Sequence, residues 1–328
     1  LMMRVLVVKT TSMGDVVHTL PAVSDMAQAI PQIQIDWLIE EPFAGIVRLH
    51  PKVAQVIPIQ FRKWRKRFWA ADVRSTIKMR LDALRAQPYD WIIDFQGLLK
   101  SALFARSVKG KSSALIAGYD QASIREPFAA WFYDRKAAVS RALPAVERNR
   151  KLAAQHLAYS LDDSPNFGIK AQLNLQLHPW CPNSAYAVLI PAASRVEKLW
   201  PEEYWMAVAE RLKSEGLALV ILWGSKQEHA RAERLALRCT AVVPPFLTVA
   251  DVAGLLANSR MVIGLDTGFT HLASALARPT IGIYCDHDPG LAPLTGPAFT
   301  ASLGDKGSAP TKAQVLDSVE IALQRWIS

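Results

Sequence analysis

The sequence has few cysteines and no long apolar run. Its three cysteines, Cys181, Cys239 and Cys285, are widely spaced and form no CxxC pair, so neither a disulfide framework nor a zinc site is predicted. No apolar run approaches the ~18 residues that a membrane-spanning helix needs. Lys9 and Asp15 interrupt the first apolar run, which does not have the form of a signal peptide. We therefore expect a cytoplasmic protein.

The common nucleotide-binding motifs are also missing. No GxGxxG follows a predicted strand, which disfavours a nicotinamide-dependent dehydrogenase. Residues 105–112, ARSVKGKS, lack the first glycine of a P-loop, and a strand follows them where a P-loop needs a helix. We assign no DxD motif, and we expect neither a catalytic metal ion nor an organic cofactor.

Positive charge is concentrated in one half of the chain. Residues 1–150 contain 23 Lys and Arg against 13 Asp and Glu, whereas residues 151–328 contain 15 against 16. The first half therefore carries a net +10, which favours an anionic partner such as nucleic acid, a membrane surface or a phosphorylated substrate. No RRM, KH or zinc-knuckle pattern is present, so we expect no nucleic acid.

Five basic and four aromatic residues occur together in the nine residues 61–69, FRKWRKRFW. One interpretation is a solvated helix face whose aromatic side chains pack inward. The other is a surface element that binds phosphates while Trp64 or Trp69 lies at a lipid interface.

Strand and helix patterns alternate along the chain, whose 328 residues fit two domains of ~150 residues. We predict an N-terminal domain over 1–165, a linker over 166–184 and a C-terminal domain over 185–310. Buried parallel strands appear as continuous apolar runs, and such runs occur at 5–8, 33–39, 53–59, 91–94, 114–117, 186–190, 217–223, 261–265 and 280–284. The prediction is an α/β protein with two Rossmann-like domains, whose parallel sheets face each other across a cleft.

Two strand-to-helix loops are candidate sites, because open α/β sheets bind ligands at the carboxyl ends of their strands. The first loop contains Ser12, Gly14 and Asp15. Asp15 is either a helix cap or a functional carboxylate. In the second loop, residues 266–271, free N–H groups and the helix dipole favour phosphate, and Gly268 permits close approach. The alternative is that the threonines there are caps and His271 packs in the core.

The amino-acid sequences of both loops resemble motifs of one protein family. Lys9-Thr-Thr-Ser-Met-Gly-Asp-Val-Val-His-Thr-Leu-Pro21 resembles the N-terminal signature of bacterial lipopolysaccharide heptosyltransferases, and most of all the heptosyltransferase I type. Asp266-Thr-Gly-Phe-Thr-His271 resembles their nucleotide-binding segment. These enzymes are GT-B glycosyltransferases that move a heptose from an ADP-sugar to the inner core of lipid A. The resemblance implies that a C-terminal helix, 311–328, packs back on the first domain.

The resemblance also implies roles for individual residues. Asp15 is expected to be the general base, with a pKa raised modestly by partial burial. Expected donor-binding residues are Ser194, Lys198, Glu228, Leu247, Asp266, Thr267, Gly268 and His271. Expected acceptor-binding residues are Ser12, Gly14, Arg62, Lys63, Arg65, Lys66, Gln96 and Arg125. Ala193 and Pro191 stand where threonine and histidine are expected, so the resemblance does not carry one hydroxyl contact to the diphosphate over to this chain, while Ser194 remains.

The implied function is transfer of L-glycero-D-manno-heptose from ADP-heptose to Kdo2-lipid A. We expect a monomer that is peripheral on the cytoplasmic face of the inner membrane. Alternatives are heptosyltransferase II or another ADP-heptose transferase with a different acceptor, and a GT-B nucleotide-sugar epimerase. A basic module that binds nucleic acid or membranes and keeps a vestigial nucleotide pocket is a non-catalytic alternative.

Overall fold

A computed structural model describes residues 2–161 and 164–327. Two residues of the predicted N-terminal domain, 162 and 163, and the last residue of the predicted C-terminal helix lie outside that description. The chain forms two compact units, Leu1–Gly168 and Ile169–Ser328. No helix in the described part of the chain is long and apolar enough to cross a membrane.

The N-terminal unit is built on a six-stranded sheet in which every pair of neighbouring strands is parallel. Its strands are β1 (Arg4–Val8), β2 (Gln34–Glu40), β3 (Val53–Ile59), β4 (Trp91–Asp94), β5 (Leu115–Tyr119) and β6 (Arg135–Ala137). Their spatial order is β3-β2-β1-β4-β5-β6. The five apolar runs predicted in this half are strands. The short edge strand β6 was not predicted, because two of its three residues, Arg135 and Lys136, are basic and exposed.

Helices connect these strands. They are α1 (Met13–Val17), α2 (Leu20–Ala29), α3 (Ala44–Val47), α4 (Phe61–Lys66), α5 (Ala71–Arg85), α6 (Leu99–Lys109) and α7 (Ala145–Leu157), with 3₁₀ turns at Glu41–Phe43 and Pro127–Phe132. Helix α5 was not predicted from the sequence, because only Val73 and Leu84 of its 15 residues are buried. A helix this exposed has too narrow an apolar stripe for the 3.6-residue period to show.

The C-terminal unit contains a second parallel sheet, with five strands. They are β7 (Tyr186–Ile190), β8 (Ala218–Ile221), β9 (Met261–Leu265), β10 (Thr280–Tyr284) and β11 (Thr300–Gly304), in the order β11-β10-β9-β7-β8. Its helices are α8 (Glu202–Ser214), α9 (Lys226–Cys239), α10 (Val249–Asn258), α11 (Gly268–Ala275) and α12 (Lys312–Ile327), with a 3₁₀ turn at Val196–Lys198. The four predicted strands are present. Strand β11 was missed because TASLG is a half-buried edge without an apolar run.

Two further segments pack in the C-terminal unit. The described part of α12 packs on α8, β10 and β11, and Val315 and Val319 lie in the core of this unit. Packing of the C-terminal helix on the N-terminal domain stays a prediction. Most of the predicted linker also belongs to this unit, since Leu173 and Cys181 are buried and the Leu173 backbone lies against Gly254.

Each sheet has one point at which the strand order reverses. In the N-terminal unit this switch point lies between β1 and β4, and in the C-terminal unit between β7 and β9. Doubly wound sheets bind ligands outside the carboxyl ends of the strands at such a point. The loops that the sequence singled out follow β1 and β9, so both lie at switch points.

Candidate active site

A cavity of about 190 Å³ opens at the switch point of the N-terminal unit. Lys9 and Asp15 come to it from the segment after β1, and residues 95–97 come from the segment after β4. Arg125, Arg148 and Asn149 complete its polar lining. The cavity therefore brings one carboxylate together with three basic side chains within a single unit.

Asp15 is a cap and a cavity residue at the same time. Ser12 is the N-cap of α1, and Asp15 is its third helical residue. The Ser12 N–H donates to Asp15 Oδ2 at 3.2 Å, and the Ser12 hydroxyl donates to the same oxygen at 3.0 Å. Ser12 and Asp15 have the positions of a capping box, with Asp in place of Glu. Because Ser12 uses only Oδ2, the cap fixes the carboxylate in the cavity wall without occupying Oδ1.

The expected rise in the pKa of Asp15 is wrong. Burial by the surrounding protein raises this pKa, but the positive charge of Lys9 and the hydrogen bonds from Ser12 outweigh burial, so the pKa is lowered. Lys9 is buried, its Nζ donates to the Phe95 carbonyl at 3.3 Å, and burial lowers its own pKa. Asp15 is therefore an ionised carboxylate at neutral pH.

Gln96 and Asp94 fix the positions of the loops that follow β1 and β4. Gln96 Oε1 accepts from the N–H groups of Thr10 and Thr11 at 3.0 and 3.3 Å, and so ties the loop after β1 to the loop after β4. Asp94 Oδ1 accepts from the N–H groups of Gln96 and Gly97 at 3.0 and 3.3 Å. Gly97 has φ +66, which a side chain disfavours. Gln96 thus lines the cavity and also positions the Asp15 loop.

Two basic residues of this cavity were absent from the predicted site. Lys9 stands in the signature itself, so its place beside Asp15 had a signal in the sequence. Arg148 comes from α7 and has no local signal: its guanidinium lies 4.5 Å from the centre of the Tyr119 ring, and its Nη2 donates to the Ser123 carbonyl at 2.5 Å. Arg125, which was expected to bind the acceptor, lines the same cavity as Arg148.

The second candidate site surrounds the start of α11. This helix begins at Gly268, with Thr267 as its N-cap. Asp266 Oδ1 lies 2.8 Å from His271 Nε2. His271 is 4% exposed, whereas a fifth of the Asp266 side chain is accessible. Asp266, Thr267 and Gly268 are thus half-buried at the start of α11, and His271 is buried against Asp266.

Lys198 faces the same loop. It lines a small cavity of about 10 Å³ with Asp266, Asp286 and His287, and its Nζ lies 2.9 Å from His287 Nε2. Ser194, on the same connection, is exposed. Asp286 and Asp288 have the acid-x-acid spacing of a DxD motif. This pair was overlooked when no DxD motif was assigned from the sequence. In the described part of the chain, no group of three or more His, Cys, Asp or Glu side chains could hold a metal ion.

Glu228 lies in the first turn of α9, after β8, and Leu247 lies between α9 and α10. Glu228 is a capping residue of α9: its Oε2 accepts from the N–H groups of Gly224 and Ser225 at 2.6 and 2.9 Å. Leu247 is half-buried and directly precedes Thr248, the N-cap of α10. Neither is among the described residues that line the cavity at Lys198.

The basic–aromatic segment 61–69 divides into an inner and an outer part. Trp64 is buried, and Phe61 packs edge-to-face on Phe104 at 5.0 Å. Trp69 is 85% exposed. The exposed basic side chains on α4 are Arg62, Lys63, Arg65 and Lys66. Phe61 and Trp64 therefore pack inward, as the first interpretation predicts. Binding of phosphates or lipid by the exposed side chains stays a prediction, and with Trp64 buried it now concerns Trp69 alone of the two tryptophans.

Solved structures with the same two sheets show the class of protein. E. coli heptosyltransferase WaaC with ADP matches with a TM-score of 0.87 and 39% identity, over 98% of this chain and 100% of that one. WaaC with ADP-2-deoxy-2-fluoro heptose matches with a TM-score of 0.82 and 36% identity, over 98% and 99%. The protein is a glycosyltransferase with the GT-B fold.

The chain belongs to glycosyltransferase family 9, the heptosyltransferases, whose sequence profile matches residues 79–318. Lipopolysaccharide heptosyltransferase 1 of Pseudomonas aeruginosa is 44% identical over 290 residues, which is 88% of this chain and 80% of that protein. The family predicted from the two loops is confirmed.

Proposed function

We propose that the protein transfers L-glycero-D-manno-heptose from ADP-heptose to Kdo2-lipid A during synthesis of the lipopolysaccharide inner core. The observation that carries this proposal is the ionised Asp15 in a cavity with three basic side chains, in a chain 44% identical to a lipopolysaccharide heptosyltransferase 1. The ADP and ADP-2-deoxy-2-fluoro heptose in the WaaC structures support the choice of donor.

Asp15 acts as the general base in a one-step displacement. The acceptor hydroxyl oxygen forms a bond to the anomeric carbon of the heptose while the bond from that carbon to the diphosphate breaks. Asp15 accepts the hydroxyl proton, and ADP leaves with the bonding electrons, which inverts the anomeric configuration. A carboxylate of lowered pKa is ready to act at neutral pH but is a weak base. Proton transfer therefore accompanies formation of the new bond, when the hydroxyl has become acidic.

The C-terminal unit supplies the donor site. Lys198 and the N–H groups at the start of α11 meet the negative charge that grows on the departing diphosphate. The other donor-binding residues in this proposal are Ser194, Glu228, Leu247, Asp266, Thr267, Gly268 and His271. In this proposal the positive charge of Lys198 and of the helix start stabilises the leaving diphosphate, and the mechanism uses no metal ion for that task.

The N-terminal unit supplies the acceptor site. Three cations against one carboxylate leave the cavity positive, which suits the carboxylate of an acidic sugar. We assign that carboxylate to Lys9, Arg125 and Arg148, and the lipid phosphates to the basic face of α4. Ser12, Gly14 and Gln96 shape the loop against the sugar. In this proposal the enzyme works as a monomer at the cytoplasmic face of the inner membrane.

Mass spectrometry of Kdo2-lipid A incubated with ADP-heptose and the pure protein tests the proposal. We expect a product heavier by one heptose residue. Product formed only from an already heptosylated acceptor would reassign the enzyme to the heptosyltransferase II reaction. Conversion of the nucleotide sugar without an acceptor would identify an epimerase.

A further inference from the structure

Four large apolar side chains lie exposed on one surface of the N-terminal unit. Leu99 and Leu103 are 39% and 44% exposed and lie four residues apart, on one face of α6. Phe128 and Trp131 are 63% and 64% exposed, with ring centres 5.1 Å apart. The 3₁₀ turn that carries them packs against α6 and buries Ala129 and Ala130. We call these four exposed side chains the apolar patch.

The apolar patch lies beside the Asp15 cavity. Gly97 and Arg125, which line the cavity, are two and three residues from Leu99 and Phe128. Glu126 joins the two segments, because its N–H donates to the Gly97 carbonyl at 3.3 Å and its carboxylate accepts from the Leu99 N–H at 2.7 Å. A molecule bound on the patch is therefore held next to the entrance of the cavity.

Basic side chains border the patch. Lys100 is exposed next to Leu99, Arg125 is exposed three residues before Phe128, and the Glu126 carboxylate between these segments accepts from the Leu99 N–H. The nearby Asp134 is neutralised by Lys109, whose Nζ lies 2.7 Å from its carboxylate. An apolar surface with a positive border matches a bilayer that contains anionic lipids, where aromatic side chains favour the interface and basic ones favour the headgroups.

We propose that the apolar patch docks the N-terminal unit on an anionic bilayer by inserting Phe128 and Trp131 among the headgroups. This inference rests on the proposed function, in which the acceptor is a lipid of that bilayer. Docking at the patch places the cavity beside the membrane surface, so the acceptor sugar reaches Asp15 while its acyl chains stay in the bilayer. The patch is separate in sequence from the basic–aromatic segment 61–69 and adds a second, more apolar contact.

Sedimentation with lipid vesicles tests the proposal without any substrate. The probe is vesicles of phosphatidylcholine containing phosphatidylglycerol, and the test variant is Phe128→Ser/Trp131→Ser. Both side chains are largely exposed, so the variant should fold, which its melting temperature checks. We expect vesicle binding to fall roughly tenfold, because the variant loses the free energy of burying part of two aromatic side chains in the bilayer. The matched control is Leu237→Ser, an 87% exposed apolar side chain on α9 of the other unit, which should bind as wild type does.

Three outcomes would overturn the proposal. They are absence of binding by the wild-type protein, equal binding by wild type and the double variant, and a wild-type dimer that the double variant dissociates. A deacylated, water-soluble acceptor separates this inference from the proposed function. We expect the double variant to use that acceptor as wild type does, while its KM rises for the acceptor in vesicles. If neither protein glycosylates any acceptor, the proposed function fails and the vesicle result still stands.

Discussion

Replacement of Asp15 by asparagine separates the two roles of this side chain, cap and base. Asn has an oxygen in the place of Oδ2 that can accept from the Ser12 N–H and hydroxyl, and Asn is tolerated near helix starts as Asp is. The substitution removes the negative charge and the ability to accept a proton. A residue that is only a cap should therefore tolerate it, and a general base should not.

The expected loss of rate is large. General base catalysis contributes about 10²–10⁴-fold, which corresponds to roughly 2.7–5.4 kcal/mol of transition-state free energy. The capping hydrogen bonds remain, so any loss of stability comes from removing the negative charge next to the buried Lys9, and thermal unfolding measures that loss separately from the rate. We expect kcat to fall by this factor while the KM of both substrates stays near the wild-type value.

The assay is steady-state heptose transfer with Kdo2-lipid A, with thermal unfolding measured in parallel. Asp251→Asn is the matched control: Asp251 has the same position in α10, and its Oδ2 accepts from the hydroxyl of the N-cap Thr248 at 2.9 Å. This control should keep its kcat. A kcat for Asp15→Asn within about threefold of wild type would refute the role of Asp15 as base.

The pH dependence gives an independent check on Asp15. Because the pKa of Asp15 is lowered below the ordinary aspartate value of 3.8, the base stays ionised as the pH falls towards 4. The acid limb of kcat/KM should therefore not appear above about pH 5. An acid limb near pH 6 that Asp15→Asn abolishes would mean that the pKa is raised in the enzyme.

Further predictions concern the donor site, the metal, the acceptor and the fold. Lys198→Ala should weaken ADP binding by roughly 1.5–3 kcal/mol in calorimetry, as expected for a hydrogen bond to a charged group. His271→Ala should also weaken it, because His271 holds the Asp266 carboxylate in place; unchanged affinity in both would remove them from the donor site. Transfer should continue in EDTA, and activity lost in chelator and restored by a divalent ion would point instead to the acid-x-acid segment after β10. Four alanine substitutions on α4 should raise the acceptor KM and flatten its salt dependence without changing ADP affinity, because exposed charges are screened within ~8 Å at physiological ionic strength; they are Arg62→Ala, Lys63→Ala, Arg65→Ala and Lys66→Ala. Burial, helped by the charge of Lys52, lowers the pKa of His50 from 6.5 to about 4, so the unfolded chain binds the extra proton between these values. Stability should therefore fall by about 2 kcal/mol between pH 7 and pH 5, and His50→Gln should remove that part of the slope in denaturant titrations.

Local sequence was sufficient for both sheets and for the position of the two loops. Buried parallel strands need apolar residues on both faces, so the central strands appear as unbroken apolar runs such as those of β1 and β9. The elements that were missed, α5, β6 and β11, are exposed or half-buried, and burial is what produces the pattern. Helix caps are local in the same way: the Thr248 hydroxyl accepts from the Asp251 N–H at 3.2 Å, and the two residues are three apart in sequence.

Tertiary structure decided what surrounds Asp15. The sequence placed this carboxylate at the end of a strand, since capping and strand ends depend on neighbours a few residues away. It could not place Arg148, which is more than a hundred residues further along the chain and reaches the cavity only through the packing of α7. The direction of the Asp15 pKa shift was also beyond it, because burial and the charge of Lys9 act in opposite directions and their balance depends on distances in space. Sequence determined the residues at each strand end, and folding determined which charges meet there.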